Sequence, residues 1–402
     1  MPMRSPAGFI SAFFDPLKNP DAPTIGTATG GDVSASVSFT APANVGGSAI
    51  TQYQAVAFTG STYVSNTVGT ASPISVTGLT NGTAYTFNVW ALNSYGPSPW
   101  SAATGSVTPS QLLRGLIAGG QTTNVIEYIN IASTGNSTNF GVLTSTRSEL
   151  SSMSSATRAV FAGGSTTTTM DYVTIATTGN ATSFGSLLSA IRQQSQGSIN
   201  DSTRGIMGGG YTTTTTTVIQ YITIATTGNS TSFGGISNNY GYWPASCSST
   251  TRGVFAGGSD PSGVYSSAYI SYITTATLGN TTAFGTLSYP RDGLSGCSNS
   301  TRGLFSQGYD GSGSFLSVIE YITIASTGSS TTFGNCANGS RGSSAMSSPT
   351  RAVIVLGANG YPYASTAMGY VEIATTGNTT NFGSLTVSAG SRTACSNCNG
   401  GV

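Results

Sequence analysis

The sequence predicts an all-β chain: a β-sandwich over residues 20–109, then a six-bladed propeller over residues 112–402. Three observations carry that expectation. An Arg-Gly or Arg-Ala element recurs at Arg114, Arg158, Arg204, Arg252, Arg302 and Arg351, at spacings of 44, 46, 48, 50 and 49 residues. A self-similar period of that size marks propeller blades or a stacked solenoid. Throughout the chain, runs of β-branched and aromatic residues of strand length alternate with Gly, Asn and Ser clusters, the pattern of antiparallel strands and turns. The composition, with 9% aromatics and a net charge of +1, argues against disorder, which needs few aromatics and a high net charge.

The same composition excludes several classes of function. With 13 basic and 12 acidic residues, no chain-wide field exists to hold a phosphate backbone or an anionic membrane surface, so nucleic acid is not expected as a partner. Met1 to Pro20 carries an apolar run too short and too interrupted for a signal peptide, and no run reaches the roughly 18 apolar residues of a membrane span. Membrane insertion is not expected, and the chain reads as made in the cytoplasm. Five cysteines, an odd number, in a chain of 402 residues read as free thiols in place of a disulfide framework.

In the first domain, turn signals at Gly30-Gly31-Asp32, Gly46-Gly47 and Asn81-Gly82 separate the strand runs. Ser36-Val37-Ser38-Phe39-Thr40-Ala41-Pro42, followed by Gly46 to Tyr53, resembles the B strand, BC loop and C strand of fibronectin type III domains. The resemblance puts Phe39 at the family's usual tryptophan position. Gly78 to Val89 is similar to the family's E–F corner, which implies that the Tyr85 hydroxyl bonds back to upstream backbone. Such a domain is expected to be a rigid spacer.

The remaining residues repeat a four-strand unit. In the third copy, Gly205 to Gly210 ends in paired glycines, Val218 to Thr226 is β-branched with one tyrosine, Thr231 to Gly234 is a short outer strand, and a stretch running into Cys247 leads to the next Thr-Arg-Gly. On Ile219 to Ile224 both strand faces are largely apolar, as a strand packed between two neighbouring sheets requires. The order of these elements resembles the kelch repeat, with the Phe-Gly phenylalanines Phe140, Phe184, Phe233, Phe284, Phe333 and Phe382 where kelch repeats carry tryptophan.

The first copy starts at Arg114 with no inner strand before it, whereas Ser391 to Asn397 matches Ser295 to Asn299, the strand that precedes Thr301-Arg302. The C-terminal strand is therefore expected to complete the first blade and close the ring, leaving no open edge.

Antiparallel order puts the first-to-second and third-to-fourth turns of every blade on one face and the remaining loops on the other. The third-to-fourth turns are nearly uniform, as in Thr134-Gly135-Asn136 and Thr227-Gly228-Asn229, and read as scaffold. The opposite loops lengthen and diversify, and they carry the candidate ligand-binding residues: Tyr211, Tyr240, Tyr242, Trp243, Tyr265, Tyr289, Tyr309, Tyr361 and Tyr363. Exposed Tyr and Trp offer amphipathic contact area at low entropic cost, which suits a glycan or a protein receptor.

Other constellations are set aside. The six repeated arginines are expected to bridge turn carbonyls or stack on the neighbouring phenylalanine. Glu127, Asp171 and Glu320 fall one per repeat on a strand and do not make the carboxylate pair of a glycosidase; the Ser-x-Asp-x-Gly-x-Thr-Trp boxes of sialidases are absent. With no histidine, the triads and common zinc sites are excluded, and no catalytic residue, cofactor or metal is expected. Cys247, Cys297 and Cys395 share one repeat position and read as small core residues. The Asn-x-Thr triplets at Asn136, Asn180, Asn229, Asn280 and Asn378 read as turns.

Repeats of the form Tyr-Ile-Thr-Ile-Ala-Thr-Thr-Gly-Asn, continuing to Phe-Gly and Cys-Ser-x-Ser-Thr-Arg-Gly, resemble kelch-like, fibronectin-bearing tail-fibre or virion-surface proteins of phages of cyanobacteria and other aquatic bacteria. That resemblance implies a non-enzymatic virion protein whose propeller meets a host glycan or protein receptor. Residues 1–19, with Phe9, Ile10, Phe13, Phe14 and Leu17, are then expected to anchor it to other virion proteins, since so short an apolar segment needs a partner to bury it. A cell-surface adhesin and a glycan depolymerase are the alternatives.

Overall fold

The computed structural model describes residues 17–111, 113–192, 199–201, 203–237, 241–260, 266–361 and 363–398. Among them every regular element is a β-strand. The chain divides into two compact units, the second beginning at Leu113.

The first unit is a sandwich of two antiparallel sheets. One joins Thr24–Gly31, Ser34–Thr40 and Ile74–Thr77; the other joins Thr62–Gly69, Gln52–Thr59, Thr86–Asn93 and Gly96–Pro97. Strict alternation drives this layout: along Thr86–Asn93 every second residue, Phe87, Val89, Ala91 and Asn93, is buried. The inward residues Val37, Ala55, Val76, Phe87 and Val89 form one core, in which Phe39 stacks at 4.7 Å from Tyr53. The Tyr85 hydroxyl accepts a 2.9 Å hydrogen bond from the backbone N–H of Thr80, which is the corner the sequence implied.

The second unit holds six four-stranded antiparallel sheets. In the third, Ile199–Asn200, Arg204–Gly208, Val218–Thr223 and Thr231–Gly235 lie side by side in chain order. The second, fourth, fifth and sixth follow the same plan, beginning at Ser151–Ser154, Ala245–Ser248, Ser295–Ser298 and Ser344–Ser347. The first sheet is built from both ends of the unit: Thr393–Ser396 pairs antiparallel with Arg114–Ala118, followed by Val125–Asn130 and Thr138–Val142. The C-terminal strand thus completes the first sheet as expected.

The hydrophobic core lies between sheets. One cluster joins Leu116, Ile126 and Phe140 of the first sheet to Phe161 and Val173 of the second, and another joins Met346, Val353 and Phe382 of the sixth to Ile117 and Ile129 of the first. Each buried Phe or Ile contributes on the order of 1.5–3 kcal/mol. Each sheet's first strand packs against those of its two neighbours, and Thr393–Ser396 lies against both Ser344–Ser347 and Ser151–Ser154. Serine hydroxyls run along these contacts: Ser154 donates to the carbonyl of Ser396, Ser396 to Ser347, Ser347 to Ser298 and Ser298 to Ser248, at 2.6–2.7 Å. Ser248 then donates to Asn200, and the Asn200 side-chain oxygen accepts from the Ser154 N–H.

Three more contacts repeat between neighbouring sheets. The glycine N–H of each Thr-Gly turn bonds the carbonyl of the preceding sheet's Phe-Gly phenylalanine, from Gly179 to Phe140 through to Gly135 to Phe382. The adjacent asparagine caps the same approach, with the Asn180 side chain accepting from the Val142 N–H and Asn136 from Ser384. Each repeated arginine reaches the next sheet's turn carbonyls, Arg114 to Ile175 and Ala176, Arg351 to Ile131 and Ala132. Its guanidinium lies over the tyrosine of its own sheet, at 4.3 Å for Tyr128 and 4.4 Å for Tyr370. Tyrosine, one strand closer than the expected phenylalanine, is thus the main stacking partner.

Candidate functional site

The repeated carboxylates serve the scaffold. Glu127, Asp171 and Glu320 are fully buried, and each meets an arginine from the loop before its sheet's first strand. Arg147 bonds Asp171 at 2.6 Å and Arg291 bonds Glu320 at 2.5 Å, while Arg392 closes on Glu127. Their other oxygens hold the preceding sheet: Glu320 accepts from the Ser288 N–H, and Glu127 from the Thr386 N–H and hydroxyl. Although burial opposes its ionised form, Arg392 together with the hydroxyls of Ser137 and Thr386 holds the Glu127 carboxyl below its usual range. All five cysteines are buried and outside any disulfide; desolvation pushes the Cys297, Cys336 and Cys395 thiols up to about 12, which makes those three inert packing residues.

The site forms where this pairing is missing. An acid fills that strand position in the first, second and fifth sheets, whereas the third has Gln220, the fourth Ser271 and the sixth Gly369, opposite Ile354, although the sixth sheet's loop carries Arg341. Without an acid at home, Arg341 turns to the fifth sheet's loop and pairs with Asp292, Nε to Oδ1 at 2.6 Å and Nη2 to Oδ2 at 2.8 Å. Its guanidinium lies over the rings of Trp243 and Tyr309, at 5.0 and 5.1 Å, contacts that a planar, weakly hydrated cation favours. Asp292 is buried, and desolvation raises its pKa to about 6 against the opposing pull of Arg341.

Around this pair the aromatic side chains form a connected series. Tyr211 touches Tyr242 at 5.9 Å, Tyr242 touches Trp243 at 6.5 Å, and Trp243 touches Tyr363 at 6.5 Å. Tyr363 continues to Tyr361 at 6.0 Å and to Phe315 at 6.2 Å, and Phe315 to Tyr309 at 5.4 Å. Isolated bridges hold the series in place by extending the sheets beyond their regular ends: Arg192 with Tyr211, Tyr242 with Ser259, and Asp292 with Tyr309.

Backbone strain concentrates on this face. Among the described residues of the second unit, seven non-glycine residues have positive φ, all in these loops: Glu149, Ser165, Thr166, Trp243, Gln307, Tyr363 and Ser391. Trp243, at φ 55°, occupies the position of Gly293 and Gly342 in the next two sheets, and Gln307, at φ 61°, replaces the first glycine of the pairs beginning at Gly119, Gly163, Gly209 and Gly257. A left-handed conformation costs such residues about 1–2 kcal/mol each. Several buried polar atoms of the same region have no hydrogen-bond partner, among them Trp243 Nε1, Gln307 Oε1, Ser340 Oγ and Ser391 Oγ.

Of the nine candidate residues, Tyr211, Tyr242, Trp243, Tyr309, Tyr361 and Tyr363 thus come together. Tyr289 is exposed and outside the series among the described residues, and Tyr240 and Tyr265 lie outside the described residues, as do Phe9, Ile10, Phe13 and Phe14 of the expected anchor. Leu17 is described and is 64% exposed. One expectation is corrected: Trp243 is not an exposed contact residue but is 2% exposed, because Arg341 and the neighbouring rings cover it. Arg341 itself was not among the candidates, and a missing strand acid could not single it out, since Gln220 and Ser271 stand at the same position in two other sheets.

Residues 21–106 match the fibronectin type III domain. This chain carries a fibronectin type III domain. Among solved structures, that of YjhT is similar with a TM-score of 0.44 at 9% identity, over 52% of this chain and 72% of that one. Curated proteins yield no significant match.

Proposed function

We propose that the chain is a non-enzymatic recognition module of a bacteriophage particle, a tail fibre or surface appendage. In this reading its six sheets are the blades of one closed, kelch-like propeller, and the face bearing Arg341 meets a host receptor. The observation that carries the recognition role is the asymmetry of the two faces. Arginine stacks, turn glycines and turn asparagines repeat on one face, where each is engaged with the neighbouring sheet. Aromatic, strained and irregular residues gather on the other, and strain of that kind persists where function requires it. Ring closure is supported by four separate sets of contacts that each return from the sixth sheet to the first, and closure removes the exposed edges of the innermost strands. Because the buried carboxylates are each committed to an arginine, they serve the scaffold and not glycan hydrolysis. Placement on a virion rests on the wording of the repeats, and the fibronectin type III domain acts as the spacer.

Mass spectrometry of gradient-purified particles tests this. Peptides of this chain at a stoichiometry comparable to known particle proteins are expected. Their absence from particles, with the chain found on bacterial surfaces, would replace the virion reading with a cell-surface adhesin.

A further inference from the structure

We propose that the cluster of Arg341, Asp292, Trp243, Tyr309 and Tyr363 is a binding site for one neutral sugar ring. This rests on the reading of the loop face as the recognition face and gives that face a ligand class.

Four features select the ligand. The first is the combination of aromatic rings with a fixed planar polar group. A pyranose presents an apolar C–H face and an equatorial rim of hydroxyls, and it needs both. Tyr309, Tyr363 and the 79% exposed Tyr361 supply ring surface, and Arg341 supplies donors between them. The second is the rigidity of that arginine. Nε and Nη2 face Asp292 and the guanidinium lies against two rings, which leaves Nη1 outside the pairing on a side chain already fixed. A donor fixed before binding costs little to immobilise.

The third feature is the mixture of unpartnered atoms. An indole N–H (Trp243), an amide oxygen (Gln307) and hydroxyls (Ser340, Ser391) lie buried without partners, a set holding both donors and acceptors. A mixed set of this kind favours neither an anion, which serves only donors, nor a metal ion, which serves only acceptors. The fourth is charge. Asp292 neutralises Arg341, so no uncompensated cation remains there to favour an acidic sugar. The strain at Trp243 and Gln307, each standing at a glycine position, fits residues kept for their side chains.

Trp243 is also the reporter. The chain has three tryptophans, and the other two, Trp90 and Trp100, lie in the first unit. In the full-length chain with Trp90→Phe and Trp100→Phe, all indole emission therefore comes from the site. Glucose, galactose, mannose and N-acetylglucosamine are titrated, with glucuronate and N-acetylneuraminate as acidic comparators. Saturation-transfer difference NMR on the unsubstituted chain, with the same sugars, covers the case in which those replacements impair folding.

At least one neutral sugar is expected to give a saturable response with a Kd on the order of 1 mM, the range for a ligand of about a dozen heavy atoms. Arg341→Lys, which keeps the charge but loses the planar fork, is expected to weaken it by about tenfold. Thr327→Ala, in an exposed turn of the opposite face, leaves it unchanged. Silence across all four neutral sugars in both measurements overturns the proposal, as does a response confined to the acidic sugars. If the sugars fail while Arg341→Lys still reduces adsorption to host cells, only the ligand class falls and the recognition face stands. If a sugar binds while the chain is absent from particles, the site stands and the virion role falls.

Discussion

At Asp292 the cost of burial and the pull of a cation oppose each other within one side chain. Arg341 alone would lower its pKa, but removal from water outweighs the pair and raises the carboxyl to about 6. Because its folded pKa lies above the unfolded value of about 4, Asp292 adds stability that is fully present below about pH 4 and is lost as pH rises through 6. Glu127, held low, has the opposite slope. The two are separated by comparing the native chain with Asp292→Asn in urea unfolding at several pH values. The native chain should gain on the variant by up to about 3 kcal/mol between pH 7 and pH 4; a flat difference would show that burial does not dominate at this residue.

At the scale of the element, the Phe-Gly and Thr-Gly-Asn motifs form one joint, seen from its two sides. A Cβ placed on Gly234 would lie well inside 3.0 Å of the Gly279 carbonyl oxygen of the next sheet, although the backbone at Gly234 is not left-handed. The glycine is there for close approach and not for its conformational freedom. Gly135, in the equivalent turn of the first sheet, has open space around its Cβ position. Gly234→Ala is therefore expected to destabilise by about 1–3 kcal/mol through overpacking, whereas Gly135→Ala should stay within about 1 kcal/mol of the native chain. Equal melting temperatures for the two variants would refute the joint.

For the whole molecule, the joint between the sixth and first sheets combines every kind of contact found elsewhere, and within the first sheet the Arg392–Glu127 pair ties the two ends of the unit together. Deleting residues 388–402 removes the first sheet's innermost strand, exposes the edge of Arg114–Ala118 and leaves Glu127 buried without its cation. Stranding a buried charge alone costs about 3–5 kcal/mol, and in a chain of repeats held by neighbour contacts the loss spreads. Calorimetry of the truncated chain should show loss of the cooperative transition of the second unit, with the transition of the fibronectin type III domain retained. An unchanged profile would mean that the ends do not depend on each other.

The fibronectin corner at Tyr85, the six strand repeats and the return of the C-terminal strand were all legible in the sequence, because each depends on local alternation, turn chemistry or a period that the chain states six times. The division into a uniform and a variable face followed from the same repeats. That Trp243 is buried, that Arg341 crosses to Asp292 of another sheet, and that Tyr211 and Tyr309 belong to one connected series were decided only in three dimensions. Arg147, Arg291 and Arg392 each find an acid within their own sheet, and Arg341 does not: Ser340 holds the loop position of Arg147 and Arg291, Arg341 stands one residue later, and Gly369 stands where the acid would be. Which neighbour then receives the unsatisfied charge depends on how adjacent sheets are juxtaposed, and no periodicity along the chain encodes that distance.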